Sequence, residues 1–421
     1  MGYQILFSML VIISALASFI NSKYLKLPKS IGLTLTTLLI SLVVLILLKI
    51  FPDWFLPVKD LLSGVDFKDI VLNTMLSYLL FAGSLHVNSI DLKQEFFPIL
   101  KLASLGVVIS TLITAILVHY ISILLNFPIS FPMCLVFGAL ISPTDPIAVL
   151  AVFKTTKSIS QSTKTKIIGE ALFNDAAGIL LFIVLLGIVY SHDSVSLFSL
   201  STTLIQQALG GLLLGFVLGK FVSFFLRMID DKEVAILFTL ALSSSGFILA
   251  SAIDVSQAIT MVIAGLVIGH DMKTKNFAKK TIVSLDSFWE LVDEVLNSFL
   301  FVLIGLEMLT IDFNIKLICI GILSFIAIFI ARYISVSSIL INCITFFYNK
   351  NLSKKAYWKE NLLMSWGGIR GGISIALALM IPENNSNSII TLTYVVVILS
   401  IVLQGSTFKW IVTKLYPKKE S

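Results

Sequence analysis

Three polar residues, Glu170, Asn174 and Asp175, interrupt an otherwise apolar run that begins GEALFNDAAGIL (169–180) and continues LFIVLLGIVY. At about 100° per residue, Glu170 and Asn174 stack on one face of a helix, and Ala171 and Asp175 on the adjacent one. An acid at the bilayer centre costs roughly 2.5–3.5 kcal/mol on the insertion scale, so such residues turn inward, paired or hydrated. Two arginines also lie in apolar runs: Arg332 in FIAIFIARYISV and Arg370 in GGIRGG. If one of them pairs with Glu170, Asp175 is left as the unpaired carboxylate; the plainer alternative makes both acids structural ion-pair partners. An unpaired carboxylate in a cavity holds a proton or a small hard cation, not comfortably both, because burial disfavours its charge and a bound cation favours it. Exchange at such a group needs no covalent step, so no enzyme is implied.

A second polar interruption supplies oxygens. In GALISPTDPIAVL (138–150), Pro143 and Pro146 each remove a backbone donor and disfavour helical geometry just before them. The chain around Thr144 and Asp145 is expected to unwind at mid-membrane and expose carbonyls. Asp145 is placed to neutralise an N-terminal half-helix end. A simple proline kink with a solvated Asp at its tip is the alternative. With these oxygens beside it, Asp175 becomes a site for Na⁺ or Li⁺.

The elements that position these residues are membrane spans. The 421 residues are 57% hydrophobic and only 13% charged, against about 25% charged in average soluble domains. Runs of about 20 apolar residues, enough to cross the hydrocarbon core, recur throughout. They are too long and unbroken for an outer-membrane barrel. An all-α polytopic membrane protein follows, with about thirteen spans near 4–20, 29–50, 66–84, 97–124, 131–152, 167–190, 199–226, 233–252, 257–270, 288–310, 314–346, 360–381 and 388–412. The first run lacks the basic flank and cleavage site of a signal peptide and is expected to be retained. With that count, 23 of the 30 Lys and Arg residues fall on alternate connections. The positive-inside rule then puts the amino terminus outside and the carboxyl terminus in the cytoplasm. Span 5, holding SPTDP, and span 12, holding SWGGIRGG, are both broken at mid-membrane and lie seven spans apart. They therefore enter from opposite faces, as in two inverted six-span repeats, and paired interrupted spans point to a transporter's binding site.

ISPTDPIAVLAVF, GEALFNDAAGILLF, FIAIFIARYISV and SWGGIRGGISIALAL resemble the signature segments of monovalent cation:proton antiporters, in family order. The nearest resemblance is to the NhaP-like branch of sodium/proton exchangers, which FAGSLHV (81–87) shares. The resemblance implies an alternating-access antiporter exchanging Na⁺ for H⁺ one for one in a cell membrane, for pH and sodium homeostasis, with K⁺/H⁺ exchange or a passive cation channel as alternatives. It implies a homodimer in which a moving core bundle, mainly 97–190 and 314–412, works against a dimerisation part, mainly 1–84 and 199–310. By position, Asp175 carries the exchanged ion, Thr144 contributes to the Na⁺ shell and Asp145 compensates helix ends. Glu170 pairs with an arginine that orients Asn174; Arg332 is the first choice and Arg370 the second. No cofactor and no nucleic-acid partner are expected.

The chain departs from the resemblance at Ala171, where many relatives have Ser, so a water or carbonyl is expected to replace one ligand. Ala82 stands where some relatives have Glu. The acids Asp286, Glu290, Asp293 and Glu294 at the start of span 10 form either a cation-attracting funnel or a solvated helix end. His86, His119, His192 and His270 lie at span ends, as interfacial polar residues or as pH sensors. Cys134, Cys319 and Cys343 have no metal-ligand spacing and are expected to be buried, inert thiols.

Overall fold

The computed structural model describes residues 2–27, 29–50, 70–156, 158–190, 197–274, 277–307, 314–343 and 354–417. The described residues form helices and their connections, as lipid requires of a chain whose backbone must satisfy its own hydrogen bonds. The amino-terminal helices are α1 (Gly2–Ile20), α2 (Lys29–Ile50) and α3 (Leu76–Leu85), the last entered through a π-helical turn at Ile70–Met75. A short α4 (Ser89–Gln94) leads to α5 (Phe96–Ala103) and α6 (Leu105–Leu124), divided at Ser104. Next come α7 (Phe131–Leu140), α8 (Ile147–Thr155) and the 30-residue α9 (Gln161–Tyr190). The second half continues with α10 (Leu197–Leu226), α11 (Lys232–Ala252), α12 (Gln257–Thr274), α13 (Lys279–Glu307) and α14 (Ile315–Cys343). It closes with α15 (Lys354–Trp366), α16 (Gly372–Ala378), α17 (Glu383–Leu399) and α18 (Ser406–Leu415), the last two joined by a π-helical turn at Ser400–Gly405.

Among the described residues, seven helices are long and apolar enough to cross a membrane, and Ile31–Ser41, Ile70–Leu85 and Phe131–Leu140 are shorter apolar pieces. Spans 5 and 12 are each split into two short helices, α7/α8 and α15/α16. The helix that carries the expected span 10 begins at Lys279, nine residues before 288: Leu285 and Trp289 are buried, so an amphipathic stretch precedes the apolar one. Residues 66–69, 308–310 and 344–346 of the expected spans, and His192, lie outside the described residues.

The tightest packing falls within two sets. In one, α12 lies between α10 and α3, and α13 packs on α2; in the other, α6 packs on α7 and α14, and α9 on α5 and α7. Outward faces are apolar. Ile315, Cys319, Ile322 and Ile326 recur at helical spacing along one exposed stripe of α14. Burial therefore fails for Cys319, which belongs to an outward apolar face; Cys134 is buried, and the Cys343 side chain lies outside the description.

Candidate functional site

The two breaks meet. After α7 ends at Leu140, the prolines keep 142–146 out of helical geometry, and the glycines of SWGGIRGG do the same for 368–371. The Asp145 amide donates to the Ile369 carbonyl at 2.7 Å, joining one break to the other. A methyl on Gly371 would sit 2.8 Å from Asp145 Cβ, so this approach needs a residue without a side chain. The half-buried Asp145 thus lies against the residue that precedes α16.

Arg370 has a different task from the one expected as second choice. Its Nη1 donates to the Ser142 carbonyl at 2.5 Å and to that of Pro143 at 3.4 Å, and its backbone amide donates to Ser400 Oγ at 2.8 Å. These are carbonyls released where α7 ends, and a helix C-terminus favours a cation. The guanidinium, 2% exposed, is therefore committed to the broken backbone and does not pair with Glu170.

Arg332 on α14 meets Glu170 on α9 in a bidentate pair: Nη1 to Oε1 at 3.0 Å and Nη2 to Oε2 at 2.8 Å. Nη2 also donates to the Met364 carbonyl at 3.2 Å near the end of α15. A methyl on Gly368 would sit 1.9 Å from Arg332 Nε, so the guanidinium occupies the space that glycine leaves at the second break. Glu170 also accepts from Asn174 Nδ2 at 2.8 Å, as their spacing of four predicts. The other Nδ2 proton goes to Thr144 Oγ1 at 2.8 Å, and Asn174 Oδ1 faces the Thr144 amide at 3.4 Å. A carboxylate only accepts, so Glu170 fixes which end of the Asn174 amide faces it. An ion pair, an amide and a hydroxyl thereby lock α9 to the first break.

Asp175 is the acid of this group that faces open space, although Arg332 Nε is also buried without a partner among the described residues. Asp175 is buried, its Oδ1 has no hydrogen-bond partner among the described residues, and it lines a cavity of about 130 Å³. The walls also carry Thr144, Asp145, Ala171, Asp293, Asn297 and Ser374, and no Lys, Arg or His among the described residues. Such a space holds several waters or a partly hydrated ion. Acid-lined walls without a base make it hospitable to cations and hostile to anions.

Asp293 shows that the span-10 acids divide. Asp286, Glu290 and Glu294 are exposed, whereas Asp293 is half-buried and turns to the cavity. Asn297, four residues on, donates to its Oδ1 at 3.0 Å, repeating the spacing of Glu170 and Asn174. Sequence reasoning had not singled out Asn297 or Ser374, and it missed the buried Asp271. Asp271 accepts from Lys220 Nζ at 2.9 and 3.1 Å and from Ser223 Oγ at 2.6 Å. A lone lysine inside span 7 was the available signal for that acid. The described histidines make local contacts: His86 with Asp286 at 3.7 Å, His119 with the Ile129 carbonyl at 2.8 Å and His270 with Ser89 at 2.9 Å. No cluster of three metal-ligating side chains occurs among the described residues.

Similarity to known proteins agrees with a helical transporter core. Residues 10–414 match the family described as sodium/hydrogen exchanger, transmembrane. The chain is 36% identical over 408 residues to the Na⁺/H⁺ antiporter NhaP of Pseudomonas aeruginosa, covering 96% of this chain and 95% of that protein. It is 29% identical over 419 residues to the Na⁺/H⁺ antiporter NhaH of Halobacillus dabanensis, covering 98% and 97%. The structure of the sodium proton antiporter MjNhaP1 from Methanocaldococcus jannaschii at pH 8 superposes with a TM-score of 0.76 at 22% identity, covering 99% of this chain and all of that one. With a family match across nearly its whole length, this multi-pass membrane chain belongs to the sodium/hydrogen exchanger transmembrane family.

Proposed function

We propose that this chain is a secondary antiporter that exchanges Na⁺ or Li⁺ for H⁺ at Asp175 by alternating access. One observation carries the proposal: a buried carboxylate with an unpartnered oxygen faces an acid-lined cavity, one turn from an acid that is fully paired. Asp175 releases a proton on one side of the membrane, takes the cation there with help from Thr144, and returns after the core moves. Its relatives' names, Na⁺/H⁺ antiporters, favour sodium as the cation.

Charge at the crossing supports one-for-one exchange. Within the proposed core, Glu170, Asp145 and Asp175 stand against Arg332 and Arg370, leaving one negative charge that one proton or one Na⁺ cancels; Asp293, on the same cavity, belongs to α13 outside that core. The core then moves in a neutral state with either ligand, which the cost of carrying charge through lipid favours. The division of packing supports a core of mainly 97–190 and 314–412 moving against a dimerisation part of mainly 1–84 and 199–310; the paired interruptions at SPTDP and SWGGIRGG support two inverted repeats. Asp145 and Arg370 serve the broken helix ends, Glu170 and Arg332 hold Asn174 in place, and Asp293 draws cations toward the cavity. The bias of basic residues supports a cytoplasmic carboxyl terminus.

Inside-out vesicles from an antiporter-deficient bacterial strain test the proposal. Respiration acidifies them, and a ΔpH dye reports proton efflux on addition of NaCl, LiCl or KCl. Efflux with NaCl and LiCl is expected; a response to KCl alone would make the chain a K⁺/H⁺ antiporter, and silence from a well-inserted protein would refute antiport.

A further inference from the structure

Ser374 carries a hydroxyl that the fold leaves unanswered. It is fully buried in α16, and its Oγ has no hydrogen-bond partner among the described residues. Serine and threonine in a helix ordinarily return the hydroxyl to a carbonyl three or four residues back. Thr36, Thr37, Thr391 and Thr393 do so here at 2.7–2.8 Å. Ser14, Thr111, Thr114, Thr281 and Ser324 are, like Ser374, buried without a partner among the described residues; Ser374 differs from those five in lining the cavity that holds Asp175. Behind Ser374 lie Arg370 and Gly371, which belong to the non-helical break, so that carbonyl is not presented at helical spacing. Native proteins rarely leave a buried hydroxyl unpaired unless a water, ion or ligand answers it.

The surroundings point to an ion. Ser374 shares its cavity with Asp175, whose Oδ1 is likewise unpartnered, and with no basic residue among those described. On α9 the residue one turn before Asp175 is Ala171, which offers that wall only a methyl group. We infer that Ser374 supplies a hydroxyl oxygen to the shell of the exchanged cation, so that ligands come from three elements: Asp175 from α9, Thr144 from the first break and Ser374 from the helix after the second. Oxygens fixed on separate elements set the size of the shell, and shell size and ligand number govern selection among hard cations. Ser374 is thereby a determinant of preference for Na⁺ and Li⁺ over K⁺. This rests on the assignment of Asp175 as the ion site.

The test compares wild type, Ser374→Ala, Ser374→Thr and Asp175→Asn in the ΔpH assay across cation concentrations, with thermal melting of the detergent-purified proteins in NaCl and in choline chloride. Ser374→Ala is expected to raise the apparent KM for Na⁺ and Li⁺ by roughly tenfold, with maximal rate changed less than about twofold, the pattern of a lost binding contact. Its Na⁺-dependent rise in Tm should shrink, while its Tm in choline should not fall, because an unpaired hydroxyl has been removed. Ser374→Thr keeps the oxygen and should stay near wild type; if Ser374→Ala fails to insert, Ser374→Cys replaces the hard oxygen with soft sulfur and takes its place. Wild-type KM values and an undiminished Na⁺-dependent Tm in the oxygen-deleted variant would overturn the inference. So would a fall in maximal rate at unchanged KM, which marks a packing role. Retained exchange in Asp175→Asn would instead overturn the assignment of the site itself.

Discussion

Two buried aspartates in this chain have opposite fates. Asp271, between α10 and α12, receives both Lys220 and Ser223, so its carboxylate is answered on each oxygen. Asp175, between α9 and the crossed breaks, has an oxygen without a partner and a cavity beside it. Both are buried acids on packed helices, where a charge is costly unless it is paired. A paired acid joins two helices into one body, whereas an unpaired acid beside empty space is prepared for a mobile counter-charge. Glu170 sharpens the contrast, since it lies one turn from Asp175 yet is held by Arg332 and Asn174.

The largest effect is expected where the contrast is strongest. Asp175→Asn should abolish cation-driven proton movement with melting temperature preserved or raised, because no ion pair is broken and a buried charge is removed; comparing vesicle exchange with thermal melting checks both parts. Arg332→Ala should act the other way, leaving Glu170 buried without its cation and costing about 3–5 kcal/mol of stability, read from denaturation of the purified protein. Asp271→Asn breaks a pair whose lysine side chain is 37% exposed and can reach water. A smaller loss of about 1–3 kcal/mol is therefore expected, with the apparent KM for Na⁺ unchanged in transport assays. The smallest effect belongs to Asp293→Asn, which removes an attracting charge but no deep ligand: the apparent KM for Na⁺ should rise about two- to threefold. That rise should fade at high ionic strength.

The residues that break the membrane pattern were legible in the sequence. Pro143 and Pro146 on one side, and the glycines around Arg370 on the other, interrupt apolar runs by rules that act within a few residues. Glu170 and Asn174 declare a shared face by their spacing alone. The choice between Arg332 and Arg370 was harder, because it depends on where two interrupted segments cross, and Arg370 proved to serve the Ser142 and Pro143 carbonyls. Asp293 was ambiguous for a related reason: α13 begins nine residues earlier than its apolar stretch, so the acid's orientation follows from the packing of Leu285 and Trp289 rather than from hydropathy. Asp271 sat at the end of a shorter apolar run, where an acid reads as a span boundary. Cys319 shows the converse, since apolar character does not distinguish a core position from an outward face.

The central claim is that proton and cation compete for one carboxylate. Adding NaCl to the purified, weakly buffered protein with a pH indicator measures that competition directly. Na⁺ should release about one proton per chain from wild type and none from Asp175→Asn, with release vanishing at alkaline pH where the carboxylate is already ionised. Proton release that persists undiminished in Asp175→Asn, or Na⁺ binding to wild type without any release near neutral pH, would contradict it.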